Sequence, residues 1–284
     1  DAAGVDVKEI TDIYISHTHG DHIGGLEDIA FKRYDWVKKP RSYKEGKYAP
    51  RLIGNAKLLS DLWERSLRGG LESMEGFVAN LETFFEPVPI EPNRTIEWEG
   101  WTIELIQQIH IMSGSMIMWT FGMMMSKKGH KTIYFTTDSQ HCSPKQMEDF
   151  YKRADVIFQD CECTGVNFKF NEGDKVYCDN GEWKAWPEDA MKATELLASG
   201  FAPTPWNVFV YGSGVHSNYG QLSGYNSANS IKLDAETKAK MKLTHYQDFV
   251  LKNVDSFGNP VNWQEQAKKD GLGGFVMLGE EFEF

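Results

Sequence analysis

The sequence predicts an α/β protein of the mixed α+β kind, with sheets covered by helices. Three observations predict it. Strand-like and helix-like stretches alternate along the chain, two candidate hairpins lie in its middle, and a histidine-rich loop follows an apolar run very early. At 284 residues with 41% hydrophobic residues the chain can bury a sizeable core. No apolar run approaches the ~20 residues of a membrane span. Asp1-Ala2-Ala3-Gly4 lacks the basic-then-apolar pattern of a signal peptide, so none is expected. Cys142, Cys161, Cys163 and Cys178 show no CxxC spacing, which fits reduced thiols in a cytoplasm.

The elements follow in order. Residues 10–15 read as a strand, and 23–32 as a helix leaving the histidine-rich loop. A basic loop covers 38–50; its Lys38, Lys39, Arg41, Lys44 and Lys47 read as a solvated surface. A short strand is expected over 51–53. A helix follows over 56–67, with Leu58, Leu59, Leu62 and Trp63 at helical spacing. Residues 94–99 and 101–109 alternate as a hairpin about Glu99-Gly100, the second strand ending at His110. Residues 116–126 and 132–137 form a second hairpin, with Met118, Met123, Met124 and Met125 as core. A helix over 144–153 leads to a strand over 155–159, apolar enough to be buried on both faces. Residues 164–205 break the rhythm and read as an insertion or lid, with a helix over 187–198. The pattern resumes at 207–211. A helix over 234–241, a strand over 242–245, a helix over 263–269 stopped at Gly271, and a closing strand over 275–284 complete the chain, read as a single domain over 1–284.

The chemistry concentrates in His17-Thr18-His19-Gly20-Asp21-His22-Ile23-Gly24-Gly25. Residues two apart in an extended backbone point the same way, so His17 and His19 can reach one ion, and Asp21 and His22 a second. Imidazole and carboxylate suit borderline metals such as zinc. Gly20, Gly24 and Gly25 suit a tight loop entering a helix. This run resembles the His-x-His-x-Asp-His signature of the metallo-β-lactamase superfamily. The resemblance implies an αββα sandwich and two divalent ions, zinc or manganese. It further implies that His110, Asp138 and His245 are the later ligands: His17, His19 and His110 on the first ion, Asp21, His22 and His245 on the second, with Asp138 bridging. Members of the superfamily carry several strands before this motif. The fold is therefore expected to be N-terminally incomplete here, with a separate polypeptide, a longer gene product or a partner subunit supplying the missing pairing.

Two further segments narrow the resemblance. Val156–Glu162 as a polar strand end, and Gly214-Val215-His216-Ser217-Asn218, look like the ribonuclease Z-like branch. That branch includes 3′-tRNA endonucleases and small cyclic-nucleotide phosphodiesterases, among them phage anti-Pycsar-type enzymes. The resemblance implies catalytic roles for Asp21, for His216 as proton donor to the leaving oxygen or as a phosphate contact, and for Glu162 or Asp160 in orienting His216. The His-Glu pair of tRNA-processing members is absent near Asp160. The net charge of −11 also argues against an extended nucleic-acid groove. The expected function is hydrolysis of a small nucleotide phosphodiester, cyclic forms included, by a cytoplasmic protein that is commonly a homodimer in this branch. Attack on a carbonyl ester, lactone or β-lactam, a tRNA 3′-processing-like endonuclease and a non-catalytic scaffold are the alternatives.

Overall fold

The apolar run before the histidine-rich loop does become a strand, β1 (Asp12–Ile15), entered through a 3-10 turn at Val7–Glu9. The computed structural model describes residues 6–35, 49–91, 94–113, 116–139, 144–161, 175–177, 183–185, 234–246, 248–254 and 260–284. These fall into two compact units. The first holds the described residues of Asp1–Gln107, Trp119–Lys128 and Glu281–Glu283, and the second the described residues of Gln108–Met118, Gly129–Glu280 and Phe284.

In the first unit, β1 leads into a single turn, α1 (Gly20–Ile23), and then α2 (Leu26–Asp35). The one helix expected over 23–32 is thus two, separated at Gly24-Gly25. Strand β2 (Arg51–Asn55) runs two residues further than expected. Its last residue, Asn55, caps α3 (Ala56–Leu62) by accepting from the Lys57 and Leu58 amides. A π turn over Trp63–Leu67 carries the helix on into α4 (Arg68–Leu71).

Four elements in this unit had no clear sequence signal: β3 (Ser73–Met74), β4 (Phe77–Val78), α5 (Leu81–Phe84) and β5 (Glu86–Ile90). Pro87 and Pro89 hide β5, because proline cannot donate to a ladder. The pairing resolves the conflict. Strands β1, β2 and β5 form a parallel sheet in that order, so among the described residues β5 is an edge strand. The Glu86 amide donates to Pro50 on the β2 side. By alternation Pro87 and Pro89 place their missing donors on the other, open side.

That sheet is covered on both faces. Ile15 and Leu52 pack with Leu26, Ala30, Leu58, Leu59, Leu62 and Leu71 of the helices. Each such side chain contributes on the order of 1.5–3 kcal/mol by leaving water. Tyr14, Ile53, Val88 and Ile90 pack on the other face against residues of β6 (Thr95–Trp98), β7 (Trp101–Ser113) and β8 (Met116–Ser126). The β6–β7 turn falls on Glu99-Gly100 as expected, with φ of 50° and 78° suiting a two-residue hairpin loop. Met123 and Met125 pack into this core and Met124 is buried, as expected of filler. Strand β7 does not stop at His110; it continues to Ser113 and leaves His110 inside a thirteen-residue strand.

In the second unit, β9 (Ile133–Phe135) is followed by α6 (Pro144–Arg153) and β10 (Val156–Asp160), one residue later than expected and buried along most of its length. Lys175–Tyr177 (β11) and Trp183–Ala185 (β12) pair antiparallel; otherwise the insertion over 164–205 and the elements expected over 187–198 and 207–211 lie outside the described residues. Helix α7 (Ala235–Lys240), β13 (Met241–Thr244), α8 (Asp248–Leu251) and α9 (Trp263–Lys269) complete it, the last turning at Gly271 as expected. Within this unit β9 and β13 flank β10, both parallel to it. Tyr151 donates to the Gln159 side-chain carbonyl (2.6 Å), and Gln108 donates to the Tyr134 hydroxyl, which satisfies polar groups inside the core. The closing strand over 275–284 does not form. Phe275 makes only a bridge to Leu243, and the chain then turns, the Glu280 amide bonding Met277 and Gly279 at φ 81°.

No helix among the described residues is long and apolar enough to cross a membrane.

Candidate metal centre

The first loop gathers its ligands locally. Strand β1 ends at Ile15, and Ser16-His17 follow it into the interior, His17 being fully buried. Ser16 Oγ lies 3.0 Å from His17 Nδ1 and orients the ring. His19 is still extended, as the cap of α1, so its ring meets that of His17 edge-on at 4.8 Å. One turn of helix then brings His22 to 4.2 Å from the His17 ring and sets its Nε2 3.3 Å from Asp21 Oδ2. Only Gly24 among the loop glycines has a steric reason to be glycine. A Cβ there would meet the Gly20 carbonyl oxygen at 2.5 Å, whereas Gly20 and Gly25 have open space.

The second unit reaches its ligands by a different route. Strands β9 and β13 flank β10 in parallel, so their carboxyl ends share one edge, the usual place for a site in such sheets. Just past β9, Thr137 sits at φ 54° and delivers Asp138, which is buried. Just past β13, His245 itself sits at φ 53°. Left-handed backbone at a β-branched threonine costs of order 1–3 kcal/mol, and such strain collects at functional sites. His245 Nε2 lies 3.3 Å from Asp138 Oδ2, and its Nδ1 lies 3.0 Å from Asp160 Oδ1. His110, inside β7, is fully buried.

Within the first unit His17, His19, Asp21 and His22 offer three imidazoles and a carboxylate, and within the second His110, Asp138 and His245 offer two imidazoles and a carboxylate, all of them among the described residues. All seven residues expected as metal ligands are thus among the described ones, four in the first unit and three in the second. Imidazole and carboxylate donors without thiolate fit zinc or manganese; the buried Cys161 belongs to neither group. His216 and Glu162 lie outside the described residues. Asp160, one of two residues expected to orient His216, is placed against His245. Sequence reasoning missed that contact, although Asp160 ends the strand lying between those that carry Asp138 and His245.

The profile of the anti-Pycsar protein Apyc1 family matches residues 1–172. The chain belongs to the Apyc1 family. Among Apyc1 relatives, that of Paenibacillus xerothermodurans is 37% identical over 109 residues, 38% of this chain and 40% of its own length. That of Paenibacillus harenae is 27% identical over 199 residues, 69% and 71% of the two chains. The chain thus spans well under half of the first relative's length. Among solved structures, the metallo-β-lactamase fold protein YhfI from Bacillus subtilis is similar at 16% identity and a TM-score of 0.46, covering 97% of this chain and 76% of that one.

Proposed function

We propose that this Apyc1-family chain is a dinuclear metal-dependent phosphodiesterase of the metallo-β-lactamase fold, acting on a small nucleotide, cyclic forms included. The observation that carries this reading is the donor chemistry of each unit: the His17, His19 and His22 rings gathered with Asp21 at one loop of the first, and His245 3.3 Å from Asp138 in the second. The anti-Pycsar name of its relatives supports the nucleotide substrate. His17, His19 and His110 would hold the first ion, and Asp21, His22 and His245 the second, with Asp138 reaching both. Bound there, two divalent cations supply Lewis-acid charge for the phosphate oxygens and lower the pKa of an attacking water.

The chain's own residues supply the rest. Burial of His17 and His110 holds imidazoles where water competes poorly for them. Asp21, its Oδ2 3.3 Å from His22 Nε2, adds an oxygen donor to the imidazoles of the loop. His216, outside the described residues, is proposed to pass a proton to the leaving oxygen, with Glu162 orienting it. A cytoplasmic homodimer is the proposed setting.

Elemental analysis of the purified protein, followed by assays on bis(p-nitrophenyl) phosphate, cyclic nucleotides and a lactone, tests the reading. About two zinc or manganese ions per chain and turnover of the phosphodiesters are expected. A folded protein that cannot be loaded with metal overturns it, and turnover of the lactone alone replaces it with carbonyl chemistry.

A further inference from the structure

We propose that Asp160 is the positioning residue of the second cation site, a single buried carboxylate that fixes both Asp138 and His245. This rests on the metal reading above. Asp160 closes β10, the strand between those that deliver the two ligands, and its side chain is fully shielded from solvent. Its Oδ1 lies 3.0 Å from His245 Nδ1. Its Oδ2 accepts from the Ser139 amide at 3.1 Å, the residue after Asp138. The two oxygens thus hold the two ligand-bearing loops at once.

The carboxylate is itself held on both sides. Its own amide donates to Thr136 Oγ1 at 2.9 Å, and the Cys161 amide donates to the Thr244 carbonyl at 2.8 Å. Both loops need such restraint. His245 is more than a third exposed, and His245 itself and Thr137, the residue before Asp138, adopt the left-handed backbone, so packing does not fix the His245 ring and backbone propensity favours neither loop. A buried carboxylate accepting from Nδ1–H selects one tautomer, leaves Nε2 to face Asp138, and makes the imidazole a stronger donor. An ionised acceptor makes the stronger bond, so an amide at 160 serves less well.

The test compares Zn²⁺ affinity of the wild type and Asp160→Asn, titrated against a chromophoric chelator, with His245→Ala and the double variant completing a cycle. Asp160→Asn is expected to weaken one of the two sites by about 10–100-fold and leave the other within twofold. It should add little once His245 is gone. Weakening of neither site, of both equally, or additively with His245→Ala overturns the proposal. Should Asp160→Asn fail to fold, long-range 1H–15N spectra of the zinc-loaded wild type decide instead. His245 protonated at Nδ1 supports the proposal, and a ring deprotonated or ligating through Nδ1 overturns it. A wild type that takes up no zinc removes the metal reading and this inference together. Two tight sites unchanged by Asp160→Asn remove this inference alone.

Discussion

The two ligand-bearing regions solve the same problem in opposite ways. The loop after β1 packs four candidate ligands into six consecutive positions on relaxed backbone, and the tight turn at Gly24 is made with a glycine. The strand ends after β9 and β13 contribute one candidate ligand each, more than a hundred residues apart. There the left-handed conformations fall on Thr137 and His245, where glycine would be the relaxed choice. A local site needs only its turn. A dispersed site needs a sheet to set the spacing, a carboxylate to tie the ends, and stability elsewhere to tolerate the strain.

Four variants break or sharpen this contrast, and the largest effect belongs to the dispersed region. Asp138→Ala is expected to slow phosphodiester turnover by on the order of 10³-fold or more and to release at least one ion, read by steady-state rates and elemental analysis. Unchanged metal content would place Asp138 outside the ligand set. Gly24→Ala comes next. Its Cβ would collide with backbone, so loss of about 1–3 kcal/mol in urea unfolding of the metal-free protein is expected. Thr137→Gly reverses the sign: relief of left-handed strain is expected to raise metal-free stability by about 0.5–1 kcal/mol. If both glycine exchanges destabilise equally, the contrast between relaxed and strained regions fails.

The smallest effect lies at the start of β1. Burial pushes the Asp12 carboxyl up. The Arg51 guanidinium, the Thr11 hydroxyl and the Trp98 indole together outweigh that and hold it below the usual carboxylate range. A depressed folded-state value means the stabilisation is present above the unfolded value of about 3.9 and is lost as pH falls through the folded one. The stability difference between wild type and Asp12→Asn should therefore be constant from pH 7 to about 4.5 and shrink below. A difference that grows on acidification would refute the assignment.

The same contrast explains what the sequence made legible. His17, His19, Asp21 and His22 could be read because their spacing alone sets their geometry. The β6–β7 hairpin could be read because Glu99-Gly100 announces its turn. His110, Asp138 and His245 needed a family resemblance, since nothing near a lone histidine or aspartate in sequence says which strands will become neighbours. Asp160 was seen as polar and strand-terminal, but its partner depended on β13 pairing beside β10, a contact across more than eighty residues. Strand β5 was lost for the opposite reason: Pro87 and Pro89 are strong local signals that an edge position overrides. The closing strand failed because the hydrophobic residues over 275–284 were weighed more heavily than Gly279.

Those prolines bear on how the protein behaves in a crowded solution. A parallel edge with regular amides is a template on which another copy can lay down a strand and start a fibril. Along β5 that outer rim lacks two of its hydrogen-bond donors. A visiting strand would find gaps where partners should be, so this flank of the sheet is poorly suited to seeding aggregates even when chains are packed closely together.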